Sequence, residues 1–174
     1  MSKAFTKDDA PDAPPILRPR APLPAGVPNH VTARGIGLLR AEQTALEAER
    51  ARLAAGEDDD AERTRRLAVN ASRLRELSAR IATAHVVDPR VLPHDEVRFG
   101  ATVTVRTVSG PRAGEARRLQ IVGVDEADAA AGRVAFTAPI ARAILGLQVG
   151  ATALLRVAGG EEELEVVAID YDAG

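Results

Sequence analysis

Two runs of apolar residues that recur every seven positions dominate the first half of this sequence. The runs consist of Leu39, Leu46 and Leu53, and of Leu67, Leu74 and Ile81 with Leu77 on the same side. A sevenfold repeat gives a helix one narrow apolar seam, as in a coiled coil. Thr32 is suited to cap the first helix, Gly56 to end it, and a second helix is predicted from near Asp60 to about Ala84. Because the connection is short, the sequence predicts an antiparallel helical hairpin.

The pattern changes to alternation after Pro89 and Pro93. Alternating or β-rich runs predict strands over residues 101–106, 119–124, 133–136, 153–157 and 164–169, and Gly159 with Gly160 predicts a hairpin turn between the last two. Residues 138–145 predict a short helix with Pro139 in its first turn. The expected fold class is α+β, with a proline-rich disordered leader at 1–28, a coiled-coil hairpin at 29–86 and a small, mainly antiparallel β-rich domain at 87–174.

Composition narrows the function classes. The net charge of −2 gives no global attraction to nucleic acid, and the absence of cysteine excludes disulfides, thiolate metal sites and cysteine nucleophiles. No apolar run approaches the ~18 residues that cross a bilayer, and residues 1–15 lack the apolar core of a signal peptide. We therefore expect a cytoplasmic protein without membrane contact.

Four consecutive carboxylates, Glu57, Asp58, Asp59 and Asp60, lie where the two helices connect, and we call residues 57–60 the acidic tip. In one interpretation, Asp60 caps the second helix and the other acids interact with its positive N-terminal end. In the other, the tip binds or competes for a divalent cation, since hard cations such as Mg²⁺ prefer carboxylate oxygens. No dedicated cage is visible, so such a metal would be shared with a partner.

Arginines follow the acidic tip along the second helix. Arg63, Arg66 and Arg73 are candidates for guiding RNA through phosphate contacts. Arg65, Arg75 and Arg80 lie on the same helix, and all of these arginines are equally able to pair with glutamates of the hairpin. The hairpin has no aromatic side chain, which argues against base stacking.

Motifs of an autonomous enzyme are not found. His30, His85 and His94 lack metal-ligand spacing, and the glycines at 110 and 114 are not followed by the Lys-Ser/Thr of a phosphate loop. We expect no catalytic residues and no cofactor of the chain's own.

The architecture resembles the GreA/GreB transcript-cleavage factors, which have an N-terminal coiled coil and an FKBP-like C-terminal domain. The resemblance covers about residues 29–171 and is most specific in residues 99–105, 121–128, 138–146 and 159–166. Residues 138–142 read Ala-Pro-Ile-Ala-Arg, where the family has Ser-Pro-Ile-Ala-Arg. The start of the leader, residues 1–7, also looks like that of GreB-type relatives.

This resemblance implies bacterial RNA polymerase as the partner. The C-terminal domain would hold the rim of the polymerase secondary channel through Asp125, Glu126, Pro139, Ile140 and Arg142. The coiled coil would enter the channel as a monomer and share the polymerase Mg²⁺, so that the polymerase itself cuts a backtracked nascent RNA. The chain would thus act on the polymerase rather than as an enzyme.

Two departures from the family pattern leave the direction of the effect open. The family tip reads Gly-Asp-x-x-Glu-Asn, whereas here Glu57 and Asp60 stand at the acidic positions, two further acids are added and Ala61 replaces the Asn. The arms also look about a heptad shorter, which removes roughly 10 Å of reach. The alternatives are therefore a cleavage stimulator and a channel-occupying inhibitor.

Two other classes of function compete with these. One is a prolyl isomerase or chaperone, although only Phe99, Phe136 and Tyr171 are available in the C-terminal domain to line its pocket. The other is a structural coiled-coil adaptor, although the hairpin covers its own seam.

Overall fold

A helical hairpin forms the first half of the structure, a computed structural model that describes residues 20–56, 61–91 and 93–171. Its arms are α1 (Ala33–Ala54) and α2 (Ala61–Ala82), each of 22 residues. The seam contains Val31, Ile36, Leu39, Leu46 and Leu77, with Leu74, Ile81 and Ala84 packed against them. Leu53 and Leu67 stay half-buried. The predicted hairpin is confirmed, and its seam is packed most tightly in the half away from the acidic tip.

The base of the hairpin is closed by a small parallel sheet. Strand β1 (Asn29–Val31) pairs in register with β2 (Ala84–Val86), and Val87 N donates to Val31 O at 2.9 Å. Asn29 Nδ2 donates to Arg80 O at 2.8 Å, a carbonyl in the last turn of α2 that lacks a helical partner. The prediction of a second helix to about Ala84 followed by a linker is therefore corrected, because residues 84–86 form a strand.

Asn70 is a buried polar residue inside the apolar seam. Its Nδ2 donates to Leu46 O on α1 at 3.0 Å and to Glu49 Oε2 at 3.0 Å, whereas its Oδ1 has no hydrogen-bond partner. A single buried asparagine in a coiled coil lowers stability but fixes the register of the helices. The hydrogen bonds to Leu46 and Glu49 therefore select one alignment of α1 against α2.

Replacing Asn70 by leucine is expected to raise the stability of the hairpin and to weaken the preference for one alignment of α1 against α2. The new side chain fills the seam and removes the unpaired Oδ1. A gain of about 1 kcal/mol would raise the melting temperature by about 2–4 °C in a chain of this length. Thermal unfolding followed by circular dichroism measures this change. Asn70→Asp is the matched control, since a buried charge should lower the melting temperature. If both variants had a lower melting temperature than wild type, the interpretation that Asn70 lowers the stability of the hairpin would be wrong.

A five-stranded sheet forms the C-terminal half. The strands are β3 (Thr102–Ser109), β4 (Ala116–Val122), β5 (Arg133–Ala135), β6 (Thr152–Val157) and β7 (Gly160–Asp170). The spatial order is β5-β4-β3-β7-β6, and every pair is antiparallel except β4 with β5. The short helix α3 (Pro139–Ile144) and 3₁₀ turns at Pro89–Val91 and Ala129–Ala131 complete the fold. All five predicted strands and the predicted helix are confirmed.

One face of this sheet packs on α3 to form a second apolar core. The core contains Val97, Ala101, Val103, Val105, Leu119, Ile121, Ala141, Ile144, Leu155, Leu164, Val166 and Tyr171. None of these residues belongs to the seam of the hairpin. Register shifts between β3 and β7 at Thr104/Val105 and at Thr107/Ser109 bend the sheet around the helix. The hairpin and the sheet therefore each have a core of their own.

Glu162 is a buried charge at the end of this core. Its side chain is fully buried and accepts two hydrogen bonds from Arg112, at 2.7 and 2.8 Å, while Arg117 lies 3.7 Å away. Arg112 belongs to the turn between β3 and β4, so the pair fastens that turn to the start of β7. The hydrogen bonds from Arg112 lower the pKa of the Glu162 carboxyl, and burial opposes them.

This lowered pKa predicts a loss of stability in acid. A carboxyl whose pKa is lower in the folded than in the unfolded chain stabilises the fold above its unfolded-state pKa, and that contribution disappears as pH falls through the folded value. Denaturant unfolding should therefore show Glu162→Gln less stable than wild type at pH 7, with the difference shrinking below about pH 4. Glu161→Gln is the control, because the side chain of the neighbouring Glu161 is exposed. The difference in stability between this variant and wild type should not shrink in acid.

Candidate functional site

The acidic tip lies between the far ends of the two arms. Residues 57–60 are outside the described residues, so the predicted metal-binding positions Glu57, Asp58, Asp59 and Asp60 stay predictions. On either side, α1 ends at Ala54 and α2 begins at Ala61. Arg63 donates from Nη1 to the carbonyl of Gly56, which joins the start of α2 to the end of the first arm. Carboxylate oxygens are the donors that Mg²⁺ selects, so the composition of the tip fits this ion.

The three arginines predicted to guide RNA differ in their surroundings. Arg63 is held by the Gly56 carbonyl, and Arg66 lies 3.9 Å from Glu62 one turn earlier on α2. Arg73 is exposed farther along the same helix. Arg66 and Arg73 are separated by seven residues, which places them ~10 Å apart on one face. Two accessible cations therefore lie in a row behind the acidic tip.

The base of the hairpin is fixed to the C-terminal domain by Asp125. This residue lies in the turn after β4, and its side chain is 7% exposed. Arg20 Nη1 donates to Asp125 Oδ1 at 3.1 Å, and Arg80 Nη1 lies 3.4 Å from Oδ2. Arg20 also donates to Glu42 Oε1 on α1 at 2.5 Å. One carboxylate of the C-terminal domain thus joins the chain segment before β1 to the end of α2.

Glu126 makes a second connection at the start of α1. Thr32 donates from its hydroxyl to Glu126 Oε2 at 2.5 Å, and the same hydroxyl oxygen accepts from Gly35 N at 2.8 Å as the N-cap of α1. Arg34 Nη1 lies 3.7 Å from the other carboxylate oxygen. A Cβ on Gly35 would lie 2.8 Å from Glu126 Oε2, so a larger residue here would have to displace this carboxylate. The predicted N-cap at Thr32 is confirmed, and the cap is shared with the C-terminal domain.

Aromatic rings fill the space beside these polar contacts. The ring of His30 in β1 lies 5.7 Å from Phe99 and 5.8 Å from Phe136, and the two phenylalanines are 5.7 Å apart. A Cβ on Gly123 would lie 2.8 Å from His30 O, so β1 passes directly over this glycine. Burial, reinforced by His85, lowers the pKa of His30 and favours the neutral ring. We call the contacts of Arg20, His30, Thr32, Arg34 and Arg80 with the C-terminal domain the junction.

Two of the predicted polymerase-contact residues pair with residues of the junction. Asp125 and Glu126 already have partners inside the chain, and the Glu126 side chain is 2% exposed. Both carboxylates face the base of the hairpin, and polymerase contact at these two residues stays a prediction. Pro139 and Arg142 on α3 are exposed and Ile140 is half-buried, so polymerase contact stays a prediction for these three. Sequence reasoning missed the junction, since its partners are separated by up to 105 residues.

The described residues contain no group of three or more His, Asp or Glu side chains arranged to hold a metal ion. His94 stacks on Tyr171 with ring centroids 4.4 Å apart, and His30 belongs to the junction. Among the same residues, no helix combines the length and the apolar character needed to span a bilayer.

Comparison with known proteins finds a family match in the C-terminal half of the chain. Residues 92–171 match the family model described as transcription elongation factor, GreA/GreB, C-terminal. The chain is 40% identical over 100 residues to transcription elongation factor GreA of Methylococcus capsulatus, which is 57% of this chain and 61% of that protein. It is 38% identical over 101 residues to GreA of Pseudomonas aeruginosa, covering 58% and 62% of the two chains. The chain thus spans about three-fifths of the length of these curated relatives.

Solved structures also match over most of the chain. GreA/GreB from Nitrosomonas europaea is 21% identical with a TM-score of 0.40, covering 83% of this chain and 99% of that one. GreA factor homolog 1 of Thermus thermophilus is 20% identical with a TM-score of 0.38, covering 81% and 97%. The sequence match over the sheet and α3 is therefore the finding that counts: residues 92–171 match the C-terminal domain of the GreA/GreB transcription elongation factors.

Proposed function

We propose that this chain is a transcription elongation factor that binds bacterial RNA polymerase and places its acidic tip near the polymerase catalytic Mg²⁺. The observation that supports this most strongly is the hairpin itself, whose leucines pack against each other in a core of their own. The polar contacts that Thr32, Arg34 and Arg80 make to the C-terminal domain all lie in the turns next to the base. Two 22-residue arms therefore give a rod of ~33 Å with the acidic tip at its far end.

The chemistry in this proposal belongs to the polymerase. Glu57 and Asp60, with Asp58 and Asp59 beside them, would supply oxygen ligands to a Mg²⁺ shared with the polymerase and orient the attacking water. Arg66 and Arg73 would contact the phosphates of the nascent RNA. The chain then acts as a cytoplasmic monomer that modifies the polymerase's own reaction and has no active site of its own.

A backtracked polymerase complex with labelled RNA tests this function. Incubation with the wild-type chain and Mg²⁺ should shorten the transcript, and Glu57→Ala with Asp60→Ala should abolish the shortening. Glu76→Ala, an exposed acid on α2 away from the tip, is the matched control and should behave as wild type. Slower synthesis without shortening would assign the channel-occupying inhibitor instead. Failure to bind polymerase would reject both functions.

A prolyl isomerase is less well supported. Phe99 and Phe136 pack with His30 in the junction, and the Tyr171 hydroxyl donates to Glu96 O at 2.5 Å. These aromatic side chains are therefore occupied by the chain's own packing and are poorly placed to line a proline pocket. Robust turnover in a prolyl-isomerase assay would contradict this interpretation.

A further inference from the structure

The half of the hairpin nearer the acidic tip is held by few buried apolar contacts. Among the described residues of the two arms, Leu46 on α1 and Asn70 on α2 are the buried residues nearest to the tip. Leu53 and Leu67 continue the sevenfold pattern beyond them and stay half-buried. Because apolar contact has no preferred direction, partly exposed leucines allow one arm to slide along the other. The apolar seam alone therefore fixes this half of the hairpin only loosely.

Two side chains of α2 bind main-chain carbonyls of the first arm in the same half. Asn70 Nδ2 donates to Leu46 O and to Glu49 Oε2, both at 3.0 Å, so its amide spans almost one turn of α1. Arg63 donates from Nη1 to Gly56 O, just beyond the end of α1. We call these contacts the cross-arm hydrogen bonds. Because each main-chain carbonyl has a fixed position along the helix axis, they specify the alignment of the arms directly.

The distances involved show why this alignment matters for metal chemistry. A slide by one residue moves one arm by ~1.5 Å along the other. Since N–H···O bonds span only roughly 2.7–3.2 Å, the cross-arm hydrogen bonds do not survive such a slide with good geometry. Oxygen ligands of Mg²⁺ must lie within a few tenths of an ångström of their ideal distance. A slide that half-buried leucines tolerate is therefore too large for two carboxylates that share one ion.

We propose that Asn70 and Arg63 are positioning residues, which hold the end of α1 against the start of α2 in the alignment that presents the acidic tip to a shared Mg²⁺. The proposal rests on the proposed function, in which the polymerase performs the reaction. It separates Arg63 from Arg66 and Arg73, which are exposed and remain the candidates for RNA contact. It also gives a role to the buried Asn70, whose unpaired Oδ1 lowers the stability of the seam.

The alignment of the arms is measurable in the free chain. The sequence has no cysteine, so Ala51→Cys with Ala68→Cys places spin labels only at two exposed positions, one on each arm in the half near the tip. Pulsed electron paramagnetic resonance then gives the distance between the labels. In this labelled background, Asn70→Leu and Arg63→Met should each shift the mean distance by about 1.5 Å or broaden its distribution by a similar amount.

Two control variants accompany this measurement. Arg63→Lys keeps a donor and should resemble wild type. Leu67→Ala removes an apolar contact from the same half but keeps both cross-arm hydrogen bonds, so it should leave the distance unchanged. An unchanged distance in Asn70→Leu or in Arg63→Met would overturn the positioning role of that residue, whatever the chain does to the polymerase.

The backtracked polymerase complex tests the consequence for the reaction. Asn70→Leu should bind core polymerase with wild-type affinity, but at saturating concentration it should shorten the transcript about tenfold more slowly, because a misplacement of about 1 Å can cost up to about a hundredfold in rate. It should also need more Mg²⁺ for half-maximal rate, although its melting temperature is higher than that of wild type. Leu67→Ala should show the reverse, with a lower melting temperature and a rate close to wild type.

The outcomes separate this proposal from the proposed function. If the rates of the variants followed their melting temperatures, the two residues would be merely structural and the positioning role would be wrong. If the wild-type chain did not shorten the transcript, the cleavage function would be rejected, and the label distances would still decide whether Asn70 and Arg63 set the alignment of the arms.

Discussion

Leu77→Ala should destabilise the hairpin by about 2–5 kcal/mol, the range measured for leucine truncation in packed cores. Leu77 is fully buried and lies in the seam with Leu39 and Leu46 from the opposite arm. Its truncation leaves a cavity that rigid helices refill only in part. Since small proteins are stable by only about 5–15 kcal/mol, this loss is a large part of the total. Urea unfolding followed by circular dichroism at 222 nm, where helices dominate the signal, measures it.

Leu38→Ala is the matched control for this prediction. Leu38 lies on α1 and is 47% exposed, so the same truncation should cost well under 1 kcal/mol. The comparison removes the effect of helix propensity, because both changes replace leucine by alanine within a helix. Equal losses for the two variants would show that the seam does not stabilise the hairpin as the packing indicates.

Asp125→Ala is expected to cost about 3 kcal/mol and to loosen the hairpin against the C-terminal domain. Removing one member of a buried ion pair leaves the other charge without compensation, which is more costly than the pair itself is worth. Here Arg80 would lose its carboxylate and Arg20 would keep only Glu42, and both arginine side chains are mostly buried. Denaturant unfolding measures the loss. Hydrogen exchange should also show faster exchange in β1 and in the last turn of α2.

A double-mutant cycle shows whether that loss comes from the junction. The double variant Asp125→Ala with Arg80→Ala should lose less than the sum of the two single variants, because each removes the same interaction. Glu161→Ala removes one member of the exposed pair with Arg156 and should change stability by less than about 1 kcal/mol. Additive losses at Asp125 and Arg80 would show that their 3.4 Å contact stabilises nothing.

The elements that the sequence predicted correctly are those with a repeating pattern. Seven-residue spacing located both arms, and alternation located all five strands of the sheet. The three-residue strands β1 and β2 were missed, because such a segment is too short to show alternation. Asn70 stands seven residues before Leu77 in the sequence, but a polar side chain gives no apolar signal, and it is the packing of the arms that shows its burial.

The polar contacts of the fold were harder to predict for a different reason. The family resemblance predicts that Asp125 and Glu126 contact a partner, and it says nothing of their contacts within the chain. Those contacts are with Arg20, Thr32 and Arg80, which come from segments far away in the sequence. Glu162 likewise lies within an acidic run on an edge hairpin, and its burial depends on Arg112 from another turn. Such pairings depend on how the elements meet in space, which periodicity does not report.

Strands β1 and β2 close the base of the hairpin next to the C-terminal domain, so a rotation at this base moves the far end of the hairpin. For an arm of ~33 Å, each degree of rotation at the base displaces the far end by ~0.6 Å. Ligands of Mg²⁺ must lie within a few tenths of an ångström of their ideal distance, so a tilt of one degree already exceeds the tolerance of coordination. In the proposed function, the position of the carboxylates at 57–60 relative to a shared Mg²⁺ would thus depend on a three-residue strand pair and a few hydrogen bonds roughly 30 Å away.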